Sequence, residues 1–221
     1  IEPMEISDEL IAMVAAGGRA LRPDPSLPGR GKLCRHLHIP MQSGCDETLR
    51  RMRRPYDSAS YAAVVRRVHQ REPLVAIGAD VMTGFPGETD EEFGQTEALV
   101  RELPVSYLHV FTYSKRPGTA AAEMPDQVNP EVRKQRTHVL RAISLEKRRV
   151  FAQRSVGQTL EVVVETPREE GLLSGISDNY LRVQFEGSRD LVGGLVAVEI
   201  TDAQGPELRG RLAGEAHSAH S

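Results

Sequence analysis

Apolar positions along this chain change their period once. Up to about residue 154, short aliphatic runs alternate with stretches in which apolar residues recur every three to four positions. The runs at 35–40, Leu74 to Met82 and Val105 to Tyr113 predict strands. The stretches at about 46–53, 58–71, 90–103 and Pro130 to Arg154 predict helices. Asp57 or Ser58 can cap the second of these and Thr89 the third, while Asn129 precedes Pro130 at the start of the last. Ser7-Asp8-Glu9 opens an earlier helix, expected to run to about Ala16 and stop at Gly17-Gly18. Residues 22–32 hold three Pro and two Gly and read as a loop. Strands alternating with helices imply βαβ units and a parallel sheet.

Beyond Gly157 the period shortens. Leu160 to Glu165, Leu172 to Ser177, Leu181 to Glu186, Leu195 to Thr201 and Glu207 to Leu212 are five strand candidates, punctuated by Gly171, Gly175, Asp178-Asn179, Gly187, Gly193-Gly194 and Gly205. So many short strands in so little chain suggest a small closed β-barrel of the OB type. The expected organisation is an α/β domain over 1–154, an all-β domain over 155–214 and a frayed tail over 215–221.

Composition changes this picture little. At 39% hydrophobic residues a core can form, but without Trp it must be largely aliphatic. The net charge of −3 hides local bias. Residues 19–72 carry 12 Lys+Arg against 5 Asp+Glu, and residues 115–154 carry 10 against 4. Such stretches either bind phosphate backbones or are solvated helix faces. The all-β part is acidic, which argues against strong nonspecific RNA binding through it. No apolar run approaches a membrane span and no signal peptide is visible, so a cytoplasmic protein with two reduced thiols, Cys34 and Cys45, is expected.

Candidate chemistry gathers just past the strands, where parallel β/α barrels build their sites. Gln42, Ser43 and Gly44 follow the first strand; they can satisfy ribose hydroxyls or an amino-acid head group, or merely shape a turn. Arg50, Arg51, Arg53 and Arg54 come next, and one of them can neutralise a carboxylate. After the second strand, Gly84 and Gly87 allow close approach of a flat ligand, Phe85 and Pro86 offer an apolar surface, and Thr89 caps the following helix. This segment lacks the Lys of a phosphate loop, which excludes a nucleoside triphosphatase of that type. Tyr113, Ser114, Arg116 and Thr119 follow the third strand and suit binding better than a serine-nucleophile mechanism. His36 and His38 share one strand face, the first half of a His-x-His metal site that His109 and Asp80 can complete; packed, hydrogen-bonded histidines are the alternative. Asn179, Tyr180, Arg182 and Phe185 offer stacking and hydrogen bonds to RNA, or serve the barrel core.

Four phrases carry a resemblance: His36-Leu-His-Ile-Pro-Met-Gln-Ser-Gly, Met52-Arg-Arg-Pro-Tyr56, Asp80-Val-Met-Thr-Gly-Phe-Pro-Gly-Glu-Thr89 and Tyr113-Ser-Lys-Arg-Pro-Gly-Thr119. Read together, they resemble the radical S-adenosylmethionine (SAM) tRNA methylthiotransferases over nearly the whole chain. Gly157-Gln-Thr-Leu, Gly171-Leu-Leu-Ser-Gly and Asp178-Asn-Tyr-Leu resemble that family's TRAM domain, and look most like the branch acting on threonylcarbamoyladenosine beside the anticodon. The resemblance implies a partial (β/α) radical SAM barrel, SAM and two [4Fe-4S] clusters as cofactors, and the tRNA anticodon stem-loop as partner. It implies hydrogen abstraction from C2 of the modified adenine at tRNA position 37, followed by methylthio insertion, with the hard chemistry belonging to the cofactors. It places Gln42, Ser43, Gly44 and Arg53 by the ribose or methionine moiety of SAM, and Gly84, Phe85, Pro86 and Gly87 by its adenine. Tyr113 and Ser114 face SAM, and Arg116, Thr119, Asn179, Tyr180 and Arg182 face RNA.

The family's Cys-x-x-x-Cys-x-x-Cys motif is absent from this sequence, and Cys34 with Cys45 cannot replace it. The resemblance therefore implies the C-terminal part of a longer enzyme, with Glu2-Pro3 at the end of a third barrel strand. Such a part is expected to be inactive alone and to expose an apolar sheet edge. Two other classes remain open: a metal-dependent barrel hydrolase built on His36 and His38, and a non-catalytic RNA-binding protein.

Overall fold

The computed structural model describes residues 1–15, 33–168 and 171–214. The expected helix stop at Gly17-Gly18, the loop over 22–32 and the tail over 215–221 lie outside the described residues.

The first half is a parallel sheet layered against helices. Three strands, β1 (His36–His38), β2 (Ala76–Thr83) and β3 (Tyr107–Thr112), pair in that order. His36 lies opposite Ala76, and Asp80 opposite His109. Helices α1 (Asp8–Ala15), α2 (Asp46–Arg51), α3 (Ser58–Arg71) and α4 (Asp90–Glu102) precede or connect these strands. A short helix, α5 (Ala120–Glu123), and the long α6 (Pro130–Arg154) follow β3. One sheet face buries Leu37, Ile77, Ala79, Val81, Leu108 and Val110 with Tyr61, Val65, Val100, Leu140 and Ile143 from the helices. The other face carries His36, His38, Asp80, Tyr107 and His109.

Local signals set the helix starts. The Asp57 carboxylate accepts from the Ser60 N–H at 2.8 Å, the Asn129 side chain accepts from the Glu131 N–H, and Thr89 and Glu92 form a reciprocal capping box. Two strands are shorter than expected at their start. Leu74 and Val75 belong to a turn held by Glu72, so β2 begins at Ala76; β3 begins at Tyr107. β1 stops before Pro40, which has no N–H for the ladder, yet pairing resumes at Gln42 opposite Val81.

The second half is a closed barrel. β4 (Thr159–Pro167), β5 (Leu172–Ser177), β6 (Arg182–Glu186), β7 (Leu195–Gln204) and β8 (Glu207–Leu212) close in the order β4-β5-β6-β8-β7. Only β6 and β8 run parallel. Leu160, Val162, Leu173, Val183, Phe185, Val198, Ile200 and Leu208 fill it. Phe185 is thus a core residue. The end of α6 supplies Phe151 and Ala152 to this second core, while its middle supplies Leu140 and Ile143 to the first.

The three-stranded sheet is open, and the free side of β1 is met by the Ile1 amine, which donates to the His38 carbonyl. The face opposite the helices is mixed in character: Phe111 is half exposed, and His38, Asp80 and His109 lie on the same face.

Candidate functional site

Three turns meet at the C-terminal ends of the parallel strands. In the first, Met41 and Gln42 both donate their N–H to the Asp80 carbonyl, and the Gln42 carbonyl accepts from Met82. Gln42 adopts φ 62, a conformation unusual outside glycine. The Ser43 hydroxyl lies 3.1 Å from that of Thr96, and the Gly44 N–H donates to the same Thr96 oxygen at 3.0 Å. A Cβ at Gly44 would stand 2.8 Å from the Thr96 Cα. Ser43 is buried, so its side chain and the missing side chain of Gly44 serve the packing of α4; the Ser43 and Gly44 N–H groups are already bonded to Met41 and Thr96, which leaves their carbonyls for a ligand.

The second turn is held from beneath. Gly84 and Gly87 have φ 71 and 79, as the left-handed region requires. Glu88 turns back under them and accepts the Gly84 N–H at 2.9 Å. The Arg136 guanidinium donates to the Glu88 carboxylate at 2.5 Å and to Asp90 at 2.6 Å. Glu88 and Arg136 are both buried. Burial pushes the Glu88 carboxyl above its ordinary range, against the opposing pull of the Gly84 N–H and of Arg136. Sequence reading missed this pair: Glu88 reads as part of the turn and Arg136 as one more basic helical residue.

The third turn joins the second. Tyr113 donates its N–H to Thr83, its carbonyl accepts from Arg133 at 2.7 Å, and its ring meets Phe85 edge-on at 5.7 Å. The Arg133 stem lies against Gly84, where a Cβ would come within 2.1 Å of it. Among the described residues, four buried polar atoms around these turns lack partners: the Tyr113 hydroxyl, Arg133 Nε, Arg136 Nε and Arg51 Nε, the last beside Gly87. Ser114 and Arg116 are exposed. The Thr119 hydroxyl donates to the Arg116 carbonyl, which ties that loop. Of the four arginines near α2, Arg50 pairs with Glu47, Arg51 with Glu92 and Arg54 with Glu2. Arg53, exposed at φ 56, makes no ion pair among the described residues.

At the opposite strand ends the sheet meets the barrel. The Arg35 guanidinium grips Asp178 at 2.7 and 3.0 Å. Tyr180, half exposed and at φ 65, stacks on His36 with centroids 4.3 Å apart and sits 5.8 Å from Tyr107. The Arg148 guanidinium lies 5.0 Å over the Tyr107 ring. A cleft of about 420 Å³ opens between these rings and the barrel, lined also by Asn179 and Arg182. The expected surface role of Asn179 does not survive: it is fully buried, and its Oδ1 accepts from the Ser177 hydroxyl within the turn. Arg182 pairs with Glu165 at 3.3 Å.

The expected His36 and His38 pair also separates. Gly78 has no side chain, so the Tyr107 ring crosses over it and brings its hydroxyl 2.8 Å from His36 Nε2. Burial, reinforced by His38 and His109, pushes the His36 imidazole down to about 4, so it is neutral at pH 7. His38 and His109 instead converge on Asp80. A hydrolase centred on His36 and His38 has no such pair to use.

Residues 153–213 match the TRAM domain family. The chain is 38% identical to the threonylcarbamoyladenosine tRNA methylthiotransferase MtaB of Bacillus subtilis, over 96% of its own length and 45% of that protein's. It is 36% identical to the tRNA-2-methylthio-N(6)-dimethylallyladenosine synthase of Desulfitobacterium hafniense, over 97% of its length and 46% of that protein's. The chain thus spans about half the length of the curated relatives it matches. Among solved structures it resembles coproporphyrinogen III oxidase (HemN) from Escherichia coli, titled a radical SAM enzyme, with a TM-score of 0.51 and 16% identity over 80% of this chain and 45% of that one. Among the described residues no helix is long and apolar enough to cross a membrane. Over nearly its whole length the chain therefore resembles tRNA methylthiotransferases, its residues 153–213 match the TRAM domain family, and it shares a fold with HemN.

Proposed function

We propose that residues 1–154 and 155–214 supply the partial barrel and the RNA-binding domain of a radical SAM tRNA methylthiotransferase. The observation that carries this is the likeness to such enzymes across both halves of the chain. The substrate we favour is the threonylcarbamoyladenosine beside the anticodon, at tRNA position 37, rather than its dimethylallyl counterpart.

SAM fits the three-turn region. Buried polar atoms without partners mark places where a polar ligand completes the hydrogen bonding, and the Tyr113 hydroxyl, Arg133 Nε and Arg51 Nε are such atoms. Gly84, Phe85, Pro86 and Gly87 form the surface for adenine, and the Gln42 side chain with the carbonyls of Ser43 and Gly44 meets the ribose or amino-acid moiety. Arg53 is free to neutralise the SAM carboxylate. Tyr113 and Ser114 close the ligand's other side. SAM, when bound, supplies the methyl and adenosyl groups. Glu88 and Arg136 hold the turn's shape while the ligand binds. The cluster reading differs: with only Cys34, exposed, and Cys45, buried, this chain has no ligand set for a [4Fe-4S] cluster. Two clusters would need ligands from outside these residues.

RNA reaches the molecule at two places. Arg116 and the Thr119 loop stand beside the SAM turns, and Tyr180 with Arg182 flanks the sheet–barrel cleft. Stacking on Tyr180 and a cationic partner suit an unpaired base.

The test is to express the complete reading frame that contains this chain in cells lacking adenosine methylthiolation, and to weigh the tRNA nucleosides. Methylthio-threonylcarbamoyladenosine is expected, and its loss in Gly84→Val. The dimethylallyl product instead would move the substrate to the other branch. No methylthiolated nucleoside at all would overturn the enzyme assignment and leave an RNA-binding protein.

A further inference from the structure

We propose that His38, Asp80 and His109 bind one divalent cation of the zinc class. The three residues come from three adjacent parallel strands and share the face opposite the helices. His38 Nε2 lies 2.9 Å from Asp80 Oδ1, and His109 Nδ1 lies 3.5 Å from the same oxygen. All three donor atoms fall within 4.8 Å of one another. Tetrahedral zinc with bonds of about 2.0–2.1 Å sets its ligand atoms about 3.3 Å apart. The two measured separations bracket that value, and the two histidine nitrogens, within 4.8 Å of each other, need to close by at most about 1.5 Å.

A plain hydrogen-bond network explains half of this. His38 can donate to Asp80 at 2.9 Å, but 3.5 Å is too long for His109 to make a good bond to the same oxygen. A carboxylate oxygen can accept from both rings, but at 3.5 Å His109 is left without a good bond, whereas a shared cation satisfies all three groups. The layer beneath holds it in place. Tyr107 lies 5.2 Å from the His109 ring and 6.4 Å from the His38 ring, walling the cluster on the side where His36 is occupied. The side chains retain 30%, 23% and 46% exposure for His38, Asp80 and His109, which leaves access for the ion and for a further ligand such as water. Two nitrogens and one carboxylate suit zinc, cobalt or nickel; magnesium and calcium prefer oxygen. The Asp80 carbonyl accepts the Met41 and Gln42 N–H groups, so a bound ion also stiffens the strand beneath the first turn. The site uses none of the SAM-turn side chains and does not depend on the methylthiotransferase reading.

The probes are Co²⁺ and Zn²⁺ added to the chelator-treated 221-residue chain. His217 and His220 are first replaced by Ala, so that the terminal histidines cannot contribute. One equivalent of Co²⁺ is expected, with the intense visible absorption of a tetrahedral site, displaced by Zn²⁺ and untouched by excess Mg²⁺. Zn²⁺ should raise the melting temperature. Asp80→Asn and His109→Gln should each weaken binding by more than the roughly 10- to 100-fold typical of an outer-shell partner. His36→Gln should keep the one-to-one stoichiometry. His109 is the most exposed of the three, so its variant reports even if Asp80→Asn fails to fold. Unchanged affinity in folded His109→Gln, or no Co²⁺ retained by the parent chain, would overturn the proposal.

Discussion

The open sheet and the closed barrel solve the same problem in different ways. In the barrel every strand has two neighbours, and one layer of aliphatic side chains with Phe185 fills the interior. Its stability is a matter of fit, and Gly175 and Gly210 mark close backbone contact. Among the described residues the sheet half is open and buries most of its apolar residues on one face. It spends buried charge to hold its turns, and it leaves His38, Asp80 and His109 partly exposed on the other face. Closure favours stability, whereas an open parallel sheet favours chemistry at strand ends and on the bare face. Helix α6 belongs to both cores and couples them.

The sharpest way to break this contrast is to remove the buried charge. Arg136→Met leaves the Glu88 carboxylate buried without its guanidinium, which costs about 3–5 kcal/mol. Urea unfolding followed by residue-resolved NMR should show the loss in the sheet half first, with barrel amides melting later. Equal loss in both halves would mean that α6 makes them one cooperative unit.

The counterpart in the barrel is Gly175. A Cβ there would stand 2.3 Å from the Val163 carbonyl oxygen, which is backbone and cannot swing away. Gly175→Ala should cost about 1–3 kcal/mol by overpacking. Its effect should fall on the barrel amides and leave the sheet-half amides unchanged. The seam between the halves comes next. Tyr180→Ala removes the ring stacked on His36 and should weaken tRNA binding by about 1–3 kcal/mol if a base stacks there. Filter binding at several salt concentrations separates this from loss of charge, because the salt slope should not change.

The smallest effect is electrostatic. The Arg51 guanidinium, with the Thr89 N–H and the Thr48 hydroxyl, holds the Glu92 carboxyl below its ordinary value of 4.5. A depressed folded value stabilises above the unfolded value, and that contribution is lost as pH falls through the folded one. Glu88 has the opposite sign: its raised value favours folding most below 4.5, and that contribution is lost as pH climbs through the folded value. Arg51→Met should therefore flatten the fall in stability on acidification below about pH 4.5. Thermal melts across that range read the slope directly, and an unchanged slope would show that the Arg51–Glu92 pair is inert.

Much of the fold was legible because it rests on local signals. Periodicity set helix against strand, and the caps at Asp57, Thr89 and Asn129 act within three residues of themselves. The limits of α6, β5 and β8 coincide with their sequence expectation for that reason. The turn residues were legible as a set, since glycine and proline after a strand announce a loop. Their roles were not. Gly44 looks like a ligand contact in the sequence and is a packing contact against Thr96, 52 residues away. Asn179 looks like a surface residue and is sealed inside its turn.

What the sequence determined by itself was the alternation of elements, the change to short strands after residue 157, and the polar character of the strand ends. These follow from backbone preferences and burial patterns that act over a few residues. Tertiary structure alone decided which side chains meet across strands. Strand register brought Asp80 of β2 beside His109 of β3, and Tyr107 crossing over Gly78 took His36 away from His38. Helix packing set Arg136 under Glu88, 48 residues apart along the chain. Neither register nor packing is written in any short window, because both minimise a free energy that depends on all the layers at once.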